Sequence, residues 1–343
     1  MQDTVATATA APRRPPPNRP LGAFLAWLVG AALVLLGALV FAVGRGSVSI
    51  SPAEILEVLR GGGDQLSRTV IMDLRLPRAL LAAVVGGNLA VAGVLLQAAL
   101  RNPLGDPHIV GVSAGAGLGA VIAFSFLAGN FAALPLAAFA GALISVLVVY
   151  GLAYRGGAQP LRLVLAGVAL TSLLGAATNG LLALSSAPLQ IVMAWLMGGF
   201  SGRSWAELQG ILPWSFAGLL GAFLTARAMN VLALGDEVAH GLGLRVETLR
   251  LLLLVLGALL AGASVAASGL IGFVGLIVPH VARLTVGASH ERVLPLSWLL
   301  GASLLVVADT AARILLDPRE LPVGIFTAAL GAPYFLHLLR RRA

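Results

Sequence analysis

The sequence predicts an all-α polytopic membrane protein, on three observations. Of its 343 residues 59% are apolar, only 10% are charged, and the apolar residues gather in runs of about the 20 that cross a bilayer as helix. Mean hydropathy is +0.97. A water-soluble fold cannot hide that much apolar surface, because roughly half of any folded surface faces solvent.

Residues 1–20 are rich in Pro and Ala, carry Arg13, Arg14 and Arg19, and read as a disordered cytoplasmic tail. Residues 21–343 read as one transmembrane domain with halves near 21–200 and 201–343. The 24 largely apolar positions of 21–44 are too long for the core of a cleaved signal peptide, so they predict an uncleaved first span. The polar stretch 45–77 predicts a loop with a short surface helix. That helix starts at Ser51-Pro52, with proline at its first position and Glu54 in its first turn, and Gly61-Gly62-Gly63 breaks it.

Further spans are predicted at 78–100, 111–129, 133–153, 162–184 and 206–228. After a polar segment from Gly235 to Arg250, residues 251–282 form one apolar run of 32, about 48 Å as helix. Ser268-Gly269 and Gly272 favour a turn inside it, giving spans near 251–268 and 271–286. Two more, at 293–314 and 322–339, bring the total to ten. Ten spans put both termini on one side. One side then holds 14 arginines against 6 acids, the other 8 arginines against 8 acids. The positive-inside rule places the first side, with both termini, in the cytoplasm.

The same rule accounts for the net charge of +8, which in a soluble protein would suggest nucleic acid. All 22 basic residues counted as Lys or Arg are arginine. A phosphate-binding P-loop needs its lysine, so ATP, if it drives this protein, is bound by another chain. With no cysteine, disulfides and thiolate metal sites are excluded.

Residues 93–113 resemble 262–284 in their small residues and Pro-His pair. Five inverted spans per half would suit alternating access, and chance likeness between two Gly/Ala/Leu-rich strings is the competing reading. Gly111, Gly115 and Gly119 form a small-residue ridge for close helix approach. Asp309, with Arg313 one turn later, is the one carboxylate placed to lie within a span; a self-neutralising i,i+4 pair and a proton relay are its two readings. So sparse a set of intramembrane carboxylates argues against an ion- or proton-coupled secondary transporter, and no catalytic constellation appears in register. Between two cytoplasmic span ends, Leu234-Gly235-Asp236-Glu237-Val238-Ala239-His240-Gly241-Leu242-Gly243-Leu244 forms a short amphipathic helix. Its two acids and lack of aromatics suit a soluble partner better than a lipid surface.

These features sit among ordered motifs: RLPR at 75–78, NPLGDPHIVGVSAGA at 102–116, LAGVAL at 165–170 and WLMGGFSGRSW at 195–205. LALG follows at 232–235, GLGL at 241–244, GFVGLIVPHVAR at 272–283 and ELPVGIFTAALGAP at 320–333. Over residues 21–341 the chain resembles the FecCD permeases of bacterial ABC importers for iron-siderophores, haem and cobalamin.

That resemblance implies the type II ABC importer permease fold in the inner membrane: ten spans in two inverted five-helix halves. It implies a homodimer with one central pathway, two cytoplasmic ATPase subunits, and a periplasmic or lipid-anchored substrate-binding protein. This chain would bind no cofactor; ATP and Mg would sit on the ATPase. The arginines matching Arg75, Arg78 and Arg313 receive glutamates of the binding protein, a task that planar, permanently charged guanidinium groups suit. Segment 235–247 matches the coupling helices that meet the ATPase. The cytoplasmic gate maps to Gln159-Pro160, Asn102 and Leu104, without the small hydroxyl residues that some members carry there. The fifth and tenth spans would line the pathway, with Thr171, Ser172, Asn179 and Met197 as lining candidates by helical position. Iron(III)-siderophore is the first expected cargo, with cobalamin and haem behind it.

Overall fold

The computed structural model describes residues 20–46, 49–126, 133–155, 157–185, 189–315 and 320–342, with side chains as far as Tyr334. The tail read at 1–20 lies, apart from Pro20, outside the described residues, as do Asp317 and Arg319. The elements formed by the described residues are all helices: α1 (Leu21–Gly44), α2 (Pro52–Leu59), α3 (Gln65–Arg68), a π-helical turn (Thr69–Arg75) and α4 (Leu76–Ala99). There follow α5 (Val112–Phe126), α6 (Ala133–Ala153), α7 (Pro160–Leu184), α8 (Leu189–Leu196) and α9 (Trp205–Leu232). The series ends with α10 (Asp236–Gly241), α11 (Val246–Ser268), α12 (Val274–Val286), α13 (His290–Ile314) and α14 (Val323–Arg342).

Among the described residues, seven helical runs are long and apolar enough to cross a bilayer, one of them continuous from Gln65 to Ala99. Three shorter apolar helices, Val112–Phe126, Val274–Val286 and Val323–Tyr334, stand at the remaining positions where the sequence predicts spans. The turn expected inside 251–282 is present: α11 stops at Ser268, Gly269 takes φ +71° and Phe273 takes φ +67° before α12 begins.

Two local features differ from the sequence reading. Residues 65–77 are not loop but the helical lead-in to α4. Pro77 lacks an N–H and clashes with the carbonyl four residues back, and the π-helical turn before it absorbs that interruption. The eight-residue α8 was not foreseen. Two residues past its end stands Gly198, whose φ of +70° and closeness to Leu270 leave no room for a side chain: a Cβ would stand 2.2 Å from the Leu270 carbonyl oxygen.

Helix α4 is the axis of the fold, buried along most of its length and surrounded by α9, α11, α12 and α13. Glycine makes this closeness possible. A Cβ on Gly93 would lie 2.0 Å from the Gly275 carbonyl oxygen of α12. The predicted ridge works the same way at α5, where a Cβ on Gly115 would lie 2.3 Å from the Gly141 oxygen of α6. With no hydrophobic gain on offer between helices in lipid, such backbone approach supplies the van der Waals contact that holds a bundle together.

Candidate functional site

Clusters of charged side chains lie at the two ends of the bundle. At one end the last four carbonyls of α1 would be unsatisfied by the helix itself. Phe41 O accepts from the Arg45 N–H (3.0 Å) and Gly44 O from the Ile50 N–H (2.9 Å). Two arginines take the other pair: Arg313 donates to Ala42 O at 2.6 Å and Arg75 to Val43 O at 2.8 Å. Arg75 comes from the π-helical turn and Arg313 from the end of α13, so capping α1 ties three elements together.

Arg78, on the first turn of α4, reaches across to α13 and the segment beyond it. Its Nε and Nη2 donate to the two oxygens of Asp309 at 2.9 and 2.8 Å, a bidentate pair. Its Nη1 donates to Glu320 at 3.0 Å. The i,i+4 pair of Asp309 with Arg313 is therefore corrected: the carboxylate is taken from another helix, by the one guanidinium whose fork faces it.

Arg75, Arg78 and Arg313 line one cavity of about 820 Å³, together with Arg45, Arg203, Asp73 and Glu320. The structure thus brings together all three arginines named from the sequence and adds two. The Nε groups of Arg203 and Arg313 are buried and have no hydrogen-bond partner among the described residues. Burial pulls the Arg203 guanidinium below its ordinary value without discharging it. Five cations facing two carboxylates leave a cavity suited to anionic groups.

At the opposite end, α10 opens with Asp236 and Glu237 after Gly235, whose φ of +115° makes the corner. Leu234, Val238 and Leu242 are exposed apolar residues along it, and His240 turns its Nδ1 to the Asp236 carbonyl at 2.9 Å. Gly243, at φ +81°, closes the segment. Behind it stands a residue that the sequence reading counted only as a loop arginine. Arg250 is 1% exposed and bonds to Asp236, Glu247 and the carbonyls of Ala99 and Ala158.

The predicted gate residues flank that arginine. In the loop after α4 the Asn102 side chain accepts from the Leu104 N–H at 2.9 Å. Gln159 is the N-cap of α7 and Pro160 its first residue. The pathway candidates lie on α7 and after α8. Ser172 and Asn179, seven apart and so on one face, are exposed, as is Met197, while Thr171 is half-buried. Among the described residues nothing covers that face.

The comparisons agree with this architecture. Residues 32–341 match the model of the FecCD transport family. The achromobactin transport system permease protein of Dickeya dadantii is 44% identical over 314 residues, covering 90% of this chain and 89% of that protein. The cobalamin import system permease protein of Halobacterium salinarum is 45% identical over 285 residues, covering 83% and 77%. A solved inward-facing transporter, described as of the metal-chelate ABC type, superposes with a TM-score of 0.84 at 34% identity, covering 92% of this chain and 98% of that one. The chain belongs to the FecCD transport family.

Proposed function

We propose that this chain is the membrane-spanning permease subunit of an ATP-driven importer that carries a metal chelate, iron(III)-siderophore first, into the cytoplasm by alternating access. The observation that carries the proposal is the arginine-lined cavity at one end of the bundle and the acidic surface helix α10 at the other, in a chain of this family. The relatives' names include both achromobactin and cobalamin, which supports a bulky chelate; cobalamin and haem are the alternatives to a siderophore.

The contacts support ten crossings of one domain in two inverted halves. Side chains near residues 43–46, 72–78, 201–205 and 309–320 bond among themselves, and those near 99–102, 158, 230–236, 247–250 and 290–291 among themselves. This is the partition that arginine counting gave, and it supports an inner-membrane protein with both termini in the cytoplasm.

Helix α1 and helix α7 are both exposed, but differently. Helix α1 carries no hydroxyl, amide or charged side chain, as lipid requires, whereas α7 exposes Ser172 and Asn179. An amide facing hydrocarbon is costly. The bare face of α7 is therefore read as turned toward a second copy across a central pathway, as a homodimer. The gate is assigned to Asn102, Leu104, Gln159 and Pro160, and two ATPase subunits, binding ATP and Mg, dock at 234–243.

Arg75, Arg78 and Arg313 are assigned to receive carboxylates of a substrate-binding protein. Replacing Arg75 and Arg78 together by alanine is the test, read as binding-protein affinity for the complex in lipid. Truncating one member of a desolvated charge pair costs about 2–5 kcal/mol, so the double variant should bind at least about 100-fold more weakly, with a shallower salt dependence. Unchanged docking would overturn the assignment. Cargo is tested on the binding protein itself, by titration with ferric siderophore, cobalamin and haem.

A further inference from the structure

We propose that Arg250 is a positioning residue that locks helix α10 to the segment leading into α7, so that movement imposed on α10 reaches the cytoplasmic end of the pathway as one rigid body. The proposal rests on the reading of α10 as the ATPase contact, and its test separates the two.

An arginine has five N–H donors, and all five are used here. Nε donates to Ala99 O at 3.1 Å. Nη1 donates to Ala158 O at 2.8 Å and to Glu247 at 3.1 Å. Nη2 donates to both oxygens of Asp236, at 3.0 Å each. These partners belong to four places: the end of α4, the turn before α7, the first turn of α11 and the first turn of α10. Glu247 adds a second grip, accepting the Ala158 N–H at 2.8 Å. Residue 158 is thereby held by both its N–H and its carbonyl, and Gln159 and Pro160 follow at once.

The geometry makes sliding unfavourable. If α10 moved alone, it would strip the Asp236 carboxylate from a guanidinium that is 1% exposed, leaving a buried charge short of its partner. Moving the four segments together breaks nothing. Asp236 itself is 37% exposed, so α10 is anchored on its inner side while Val238 and Leu242 stay open to a partner. Lysine could not serve in this position, since three donors on a single point cannot reach two carbonyls and two carboxylates at once.

The chain holds no cysteine, so spin labels can be placed without a background. Labels at Val238 and Leu161, both exposed, would report the separation of α10 and the start of α7 in the complete complex with its ATPase, with and without ATP. In the parent chain that distance should be narrow and the same in both states. In Arg250→Lys, which keeps the charge, it should broaden and become nucleotide-dependent. ATP hydrolysed per cargo molecule taken up should rise at least tenfold, which loss of stability alone would not produce. Should Arg250→Lys fail to assemble, Asp236→Asn is measured in the same way, with the same expected result. A wild-type distance and a wild-type ATP-to-cargo ratio in the variant overturn the proposal. Absence of cross-linking from Val238→Cys to the ATPase overturns the reading of α10 and the proposal with it. Cross-linking with an unchanged distance in Arg250→Lys overturns only the role of Arg250.

Discussion

The arginines at the two ends of the bundle are used in opposite ways. At the α1 end, Arg75, Arg78, Arg313, Arg203 and Arg45 open on one cavity, and two of the five keep an Nε without a partner among the described residues. At the α10 end a single arginine is sealed from solvent with every donor bound. A guanidinium that faces an open cavity can meet an incoming carboxylate; one sealed from solvent with its donors filled can only hold what it already touches. Charge of the same chemical type thus suits recognition at one end and rigidity at the other, and the difference lies in whether the fold leaves the guanidinium facing open space or seals it among its partners.

The largest test of that comparison is stability. Arg250→Ala orphans two carbonyls, each a loss of about 1–3 kcal/mol where buried. Its two carboxylate partners are about one-third exposed, so their loss adds less than about 1 kcal/mol after solvent screening. A destabilisation of about 3–5 kcal/mol is expected. Arg313→Ala frees one carbonyl of α1 and should lose only about 1–2 kcal/mol. Unfolding of the purified chain by SDS titration in mixed micelles measures both. Equal losses would break the distinction between a filled arginine and an open one.

A smaller effect concerns Arg78, the outer arginine that looks most like Arg250. Its pair with Asp309 is largely buried, with side-chain exposures of 13% and 5%, whereas Glu320 is 36% exposed. Exposed pairs contribute about 0.2–1 kcal/mol. Glu320→Gln should therefore loosen one donor of Arg78 and tighten docking of the binding protein, about two- to fivefold. Weaker docking in that variant would instead make Glu320 part of the docking surface.

Much of this was legible in the sequence. Helices stand at all ten positions that hydropathy marked, the break in 251–282 falls at Ser268-Gly269, and three arginines separated by up to 238 positions meet at one cavity. What failed was pairing. Asp309 and Arg313 have the spacing of a helical pair, but the partner of Asp309 lies 231 residues away, and no local rule reaches so far. Arg250 was hidden for a different reason. Two of its acceptors are the backbone carbonyls of Ala99 and Ala158, which carry no side-chain signature. The signal that was present is an arginine placed where an apolar run begins, one turn after Glu247. Pro77 likewise marked an interruption without revealing that a π-helical turn would absorb it.

The smallest prediction supplies a control, a charged group that neither recognises nor transmits. Glu54 on α2 closes a capping box: Ser51 Oγ accepts from the Glu54 N–H at 3.2 Å, and the Glu54 carboxylate accepts from the Ser51 N–H at 2.7 Å. The second bond is stronger with the carboxylate ionised. The Ser51 N–H and hydroxyl accordingly hold the Glu54 carboxyl below its ordinary 4.5. A lowered folded value means that this end of α2 is fully supported above pH 4.5 and loses support as pH falls through the lower value. Amide exchange at residues 54 and 55 should quicken there, beyond the intrinsic pH trend; Glu54→Gln should abolish the inflection, and Ser51→Ala, which keeps the backbone N–H, should shrink it while costing the helix about 1 kcal/mol. Docking strength and the ATP-to-cargo ratio, measured at neutral pH, should be the same in Ser51→Ala as in the parent. A change in either would mean that the outer loop, and not the arginine clusters alone, takes part in recognition or transmission.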